Sequence, residues 1–419
     1  VTGEATWFGH PRGLTVLFLT NMWEQFSYYG MRALLVYYMT KQLLMSQGSA
    51  SLVYGAYTAC AYFTPIVGGI IADRFLGKRR AILIGGSVMA AGHFMMAFEP
   101  LFYPALVTIA LGNGLFLPSL PSQIGDLYEP GDARAGSAYN VYYVGVNIGG
   151  FLAPLICGTL GELYGWHWGF GAAGVGMLGG LGFYIWGQRY LPQPTRLREE
   201  AQVRPPIRFP RKTVLLLIAV ALSVMVFRGA YEQVGNTVAL WADTGVDRST
   251  SVATIPMTWF QSLNPLLVMV MTPPLLLFWQ RRTRAGAPER PVRRMALGAA
   301  IVAGAYLILA LVENGGGPVH WLWLVLFFVV LTLGELHILP TGLGLFARAA
   351  PRGLGATTVA AWFLASFSGS LAAGFVGTLW SDTSHRGFFA LLAALAGLAA
   401  VMLLATDRFG RKVEIVESD

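Results

Sequence analysis

The sequence predicts an all-α integral membrane protein with twelve transmembrane helices in two six-helix bundles, and three observations carry the prediction. Hydrophobic residues make up 55% of the 419 and charged residues only 12%, whereas soluble domains hold about 25% charged residues. Apolar runs of bilayer-crossing length, about 20 residues at 1.5 Å each, recur twelve times. One interruption, LPQPTRLREEAQVRPPIRFPRK, is Pro-rich, charged and too short to hold further spans. It is a linker at 192–211 that separates a bundle at 1–191 from one at 212–419.

The expected spans are 14–44, 50–72, 79–98, 101–124, 135–160, 166–191, 212–241, 250–280, 292–312, 319–348, 353–380 and 386–406. With the N-terminus inside, 24 of the 29 basic residues fall on the inner face, leaving Lys41, Arg248 and Arg386 outside and Arg32 and Arg228 within spans. The positive-inside rule therefore puts both termini in the cytoplasm, and the net charge of +8 signals topology, not nucleic-acid binding. No cleavable signal is expected, because the first apolar run is a full span. Short outer loops and the lack of any Asn-x-Ser/Thr sequon point to a bacterial inner membrane. Cys60 and Cys157 sit in apolar runs and read as small core residues, with no disulfide framework and no metal site. The 51 glycines permit close helix contact in lipid.

The first span carries the chemistry. Within LTVLFLTNMWEQFSYYGMRALLVYYMTKQLL, helical periodicity lines Asn21, Glu24, Gln25, Tyr28 and Arg32 along one side. A charge inside a span costs roughly 2.5 to 3.5 kcal/mol on insertion scales, so such a stripe faces protein or trapped water and marks a functional site. Two six-helix halves with central charges follow the plan of a secondary transporter, with its substrate site near the midplane between halves. An intramembrane enzyme is not expected. There is no HExxH or GxSxG, and Asp73 and Asp126 lie at helix ends, not as a central pair. His93 and His337 read as packing histidines ahead of proton relays. Arg228, one turn before Glu232, is either an ion-pair partner or a contact for an anionic substrate group.

GGIIADRFLGKRR, Gly68 to Arg80, resembles the loop signature of the major facilitator superfamily, with Asp73 as its acid and Arg74, Lys78, Arg79 and Arg80 as cations of a cytoplasmic gate. EQFSYYG (from Glu24), YNVYYVGVNIGGFLAPLI (from Tyr139) and GWHWGFGAAGVGM (from Gly165) are similar to helix 1, 5 and 6 motifs of the proton-dependent oligopeptide transporters. YEQVG, QSLNP, GELHILP and AAWFLASFSG stand where that family has its helix 7, 8, 10 and 11 motifs. The resemblance implies the superfamily fold and symport of di- and tripeptides with protons, by a protein that is a monomer, uses no cofactor beyond the coupling proton, and touches the lipid bilayer but no nucleic acid. It implies a site of Tyr28, Tyr29, Arg32, Tyr62 and Asn147 from the first half, and Glu232, Asn264, Glu335, Trp362 and Ser366 from the second. Glu335 would meet the peptide's amino terminus; Glu24, Arg32 and Glu232 would couple the proton.

Three departures stand out. Asn21, Gln25 and Leu117 occupy positions where the family has a Glu, an Arg and a Lys. Their joint loss avoids the 3 to 5 kcal/mol cost of one unpaired buried charge, and leaves Glu24 and Arg32 as the only ionised groups at the centre of the first half. The alternative is therefore a transporter of another small solute, or a peptide facilitator with weakened coupling.

Overall fold

The computed structural model describes residues 9–129, 132, 134–192, 211–286, 288–313, 316–350 and 355–410. Most of the expected linker, 193–210, lies outside the described residues. Apolar runs with no polar alternation leave a chain in lipid one economical choice, the helix, which satisfies its own backbone hydrogen bonds.

α1 (Arg12–Tyr37) continues into a π turn at Tyr38–Gln42, and α2 (Gln47–Ile71) into another at Ala72–Leu76. Gly77, at φ 76°, breaks the chain before α3 (Lys78–Met95), a backbone angle that glycine adopts without strain. α4 (Phe102–Gly125) and α5 (Arg134–Ala153) follow. A π turn at Pro154–Gly158 joins α5 to α6 (Thr159–Tyr164), ahead of α7 (Trp166–Gly187). Beyond the linker come α8 (Arg211–Tyr231), α9 (Thr237–Thr244), α10 (Leu263–Arg284) and α11 (Pro291–Val312). α12 (Leu322–Arg348), α13 (Gly355–Thr378) and α14 (His385–Gly410) complete the chain. A two-residue parallel ladder pairs β1 (Val246–Asp247) with β2 (Val319–His320).

Among the described residues, ten helical stretches are long and apolar enough to cross a membrane. α1 and α3, of 26 and 18 residues, are long enough as well, but they carry Glu24 and Arg32, or Lys78, Arg79, Arg80 and His93. Their polarity is where the sequence departs from a plain lipid-facing span.

The contacts divide the chain into two compact units. In the first, residues 1–44 and 63–200, α1 packs on α5 and α7, and α3 on α4 and α7, around Leu17, Phe116, Leu120, Met177 and Tyr184. In the second, residues 45–62 and 201–419, α11 packs on α12 and α14, and α8 on α13 and α14, around Phe227, Trp241, Tyr306 and Phe327. The sequence assigns all of α2 to the first bundle, yet residues 45–62 pack with the second unit. There Gln47 Nε2 donates to the Gly377 carbonyl at 2.9 Å, Ser51 donates to Asn236 Oδ1 at 3.1 Å, and Gly55 lies against Gly374.

In lipid, close packing and not hydrophobic transfer holds helices together, so small residues decide where they touch. A Cβ on Gly298 of α11 would come 2.5 Å from the Gly334 carbonyl oxygen and 2.8 Å from His337 Cβ on α12. Gly298→Val will therefore lower the thermal midpoint in detergent by an overpacking cost of about 1 to 3 kcal/mol. Gly304→Val, where nothing lies within 4 Å of an added Cβ, will not; thermal unfolding followed by tryptophan fluorescence checks both.

Candidate functional site

In the first unit the polar side of α1 is enclosed by glycines of its neighbours. Gly149 of α5 lies against Met22 and Phe26, and Gly180 of α7 against Thr20 and Trp23, so both backbones close over the turn holding Glu24. Asn21 and Glu24 are each 1% exposed. Gln25 Nε2 donates to Glu24 Oε2 at 2.7 Å, and Asn21 Nδ2 donates to the Tyr142 carbonyl of α5 at 3.4 Å. Glu24 is thus a buried carboxyl group with an amide donor beside it. Further along, Tyr28 and Tyr29 meet edge to face with ring centroids 5.5 Å apart, and both are half-buried, as is Arg32. Asn147 is buried, and its amide donates to the Tyr143 carbonyl of its own helix at 2.9 Å.

The Gly68–Arg80 motif sits at one end of this unit. Asp73 and Arg74 lie exposed in the π turn after α2, and Arg80 is exposed on α3. Lys78 pairs with Asp126 at the end of α4 at 2.7 Å and donates to the Ser122 carbonyl at 3.1 Å. Arg79 hydrogen bonds to Gln188 just beyond α7. Lys78 and Arg79 thus bind α3 to the ends of α4 and α7, and Asp126 is a helix-end partner, as its position in the sequence indicates.

The second unit concentrates more charge. Arg228 Nη2 meets Glu232 Oε1 at 2.5 Å, one helical turn apart, with side chains only 3% and 1% exposed. Glu232 opens the 3-10 turn Glu232–Gly235 that links α8 to α9. The guanidinium lies 4.3 Å from the centroid of the Tyr62 ring, which stacks in turn on Phe363. Glu335 of α12 accepts a hydrogen bond from Asn264 Nδ2 at 2.5 Å and another from Tyr231. Asn264 also donates to Thr332 at 3.1 Å. Arg228 and Glu232 both act electrostatically on Glu335. On α13, Trp362 is buried edge-on against Phe346 and over Gly342, and one turn later the buried Ser366 hydroxyl has no partner among the described residues.

The structure thus gathers Tyr62, Glu232, Asn264 and Glu335 around Arg228. The sequence flags Arg228 without assigning it to the site. The i,i+4 spacing within an apolar stretch is the signal, since neither charge can be buried singly without a cost of about 3 to 5 kcal/mol. The cluster brings a guanidinium and two carboxyl groups together in a buried space, where a proton or an ammonium group changes the balance of charge most strongly. His337 donates to the Leu333 carbonyl of its own helix at 2.7 Å and packs on Trp279, as a packing histidine does. His93 is fully buried with neither ring nitrogen partnered among the described residues. Cys60 and Cys157 are free thiols, and among the described residues no group of three or more metal-ligating side chains occurs.

Comparison with known proteins gives one consistent result. The sequence profile described as the POT family matches residues 79–202 and 209–393. The chain is 31% identical to the peptide transporter YePEPT of Yersinia enterocolitica, over 90% of this chain and 89% of that one. It is 30% identical to a di-/tripeptide transporter of Lactococcus lactis subsp. cremoris, over 96% of each. A crystal structure of a peptide transporter POT in complex with sulfate superposes with a TM-score of 0.88 at 29% identity, covering 98% of this chain and 97% of the other.

Proposed function

The chain belongs to the POT family, and from that premise we propose that it is a proton-coupled symporter of di- and tripeptides working by alternating access. The observation that carries this reading is the buried set of Arg228, Glu232 and Glu335, ionisable groups held together within the spans where a proton or a peptide's ammonium group can bind. The names of the relatives, peptide and di-/tripeptide transporters, support the same substrate class.

In this reading Glu335, held by Asn264, meets the amino terminus of the peptide, and Arg32 grips its carboxylate with two parallel hydrogen bonds. Tyr28, Tyr29, Tyr62 and Trp362 offer apolar faces that accept varied side chains, while Asn147 and Ser366 supply polar contacts to the peptide groups. Glu24 and Glu232 carry the coupling proton. Asp73, Arg74, Arg79 and Arg80 belong to the cytoplasmic gate. The protein is read as a monomer in a bacterial inner membrane with both termini cytoplasmic, with no cofactor and no enzymatic activity.

Uptake of a labelled dipeptide into proteoliposomes, with and without an inward proton gradient, tests the reading. Accumulation above equilibrium only with the gradient is expected. The neutral Asn21, Gln25 and Leu117 favour a second reading, a peptide facilitator or a carrier of another small solute. Exchange indifferent to the gradient would select the facilitator, and absence of dipeptide movement the other solute. Glu335→Gln will raise KM for a dipeptide by about 10 to 100-fold, the loss of one charged hydrogen bond of roughly 1.5 to 3 kcal/mol. Dipeptide uptake kinetics, compared with inhibition by an N-acetylated dipeptide that lacks the ammonium group, read this directly.

A further inference from the structure

We propose that the second unit carries an anionic-phospholipid site, a pocket of about 670 Å³ where the ends of α10, α11 and α12 meet. Five arginines from three separate helices and their connection line it: Arg282, Arg290, Arg293, Arg294 and Arg348. Glu289 is the only carboxylate among the lining residues, and among the described residues none of the five arginines makes an ion pair. Positive-inside topology accounts for arginines in a loop. It does not account for Arg348, 54 residues beyond Arg294, converging on the same cavity.

The chemistry of the lining selects the ligand. The Arg294 guanidinium stands 4.5 Å from the centroid of the Trp279 ring, and that of Arg282 5.8 Å from it. Arg294 Nε and Trp279 Nε1 are buried donors with no acceptor among the described residues, so the cluster is rich in donors and short of acceptors. A phosphate group supplies acceptor oxygens and negative charge, and guanidinium forks match it with paired hydrogen bonds. The remaining wall favours a lipid over a free phosphate. Leu276 and Leu297, 49% and 47% exposed, line the pocket on the spanning helices α10 and α11, beside the exposed Leu277 and Phe278. A headgroup at the arginines with its acyl chains along this apolar surface fills both parts, as basic pockets at helix ends do for anionic lipids.

Native mass spectrometry of the purified full chain in neutral detergent, titrated with phosphatidylglycerol or phosphatidylcholine, tests the site. Phosphatidylglycerol adducts are expected at lower lipid concentration than phosphatidylcholine adducts, and R293Q/R294Q is expected to weaken them about thirtyfold. Leu297→Glu keeps every arginine and changes an exposed position, so it guards against misfolding of the double variant; it too should weaken phosphatidylglycerol binding. Inorganic phosphate at millimolar concentration should not displace the lipid. Undiminished phosphatidylglycerol binding in both variants, or equal binding of the two lipids, would overturn the proposal. Displacement by inorganic phosphate would overturn the lipid assignment in favour of a soluble anion.

Discussion

Arg228→Met will abolish proton-driven dipeptide accumulation and destabilise the protein by about 3 to 5 kcal/mol, the cost of removing one partner of a buried ion pair. Both side chains of the Arg228–Glu232 pair are almost fully buried, and the guanidinium also lies against the Tyr62 ring, so water cannot take over either role. The double variant R228M/E232Q removes both charges together and will recover most of the lost stability, since replacing a whole buried pair with neutral groups is close to neutral. It will not recover transport. Thermal unfolding and proteoliposome uptake, run on the same preparations, separate the two effects. Recovery of gradient-driven uptake along with stability would show that the pair only supports the fold.

Glu24→Gln will uncouple transport from the gradient while leaving exchange intact. One coupled proton supports about tenfold accumulation per pH unit of gradient, and this factor will fall to one. Glu24 is buried between glycines of α5 and α7, with the Gln25 amide at 2.7 Å, so gaining or losing a proton there changes the charge of a buried space. Glutamine keeps the volume and the hydrogen bonding but cannot make that change. Counterflow of labelled dipeptide against unlabelled dipeptide should continue, because it needs the substrate contacts and no net proton movement. Accumulation by the variant equal to that of the parent protein would remove Glu24 from the coupling scheme.

Much of this was legible in the sequence because it depends on local pattern. Runs of apolar residues give helices in lipid whatever their neighbours, and the 3.6-residue period places Asn21, Glu24 and Gln25 on the side of α1 that α5 and α7 enclose. Contacts distant in sequence were not legible. Nothing in the periodicity of α2 says that Gln47, Ser51 and Gly55 pack with Gly377, Asn236 and Gly374, more than 180 residues away. The motif from Gly68 to Arg80 reveals its cations but not that Lys78 meets Asp126, 48 residues on, while Asp73 stays exposed. Arg228 shows the limit most clearly. Its spacing from Glu232 suits an ion pair and a substrate contact equally, and only the packing of Tyr62 and Gly369 around it shows that the pair is closed in.

That Arg228 and Glu232 sit on consecutive turns of one span has a consequence for biosynthesis. Inserted singly, a charged side chain at a helix centre carries a penalty of about 2.5 to 3.5 kcal/mol as the segment leaves the translocon. Here the opposite charges emerge together on one segment, within a span that is otherwise long and apolar enough to cross a membrane. The pair can form before α9 to α14 have been made, so the nascent segment enters the bilayer with these two charges already matched and does not wait for a helix synthesised later.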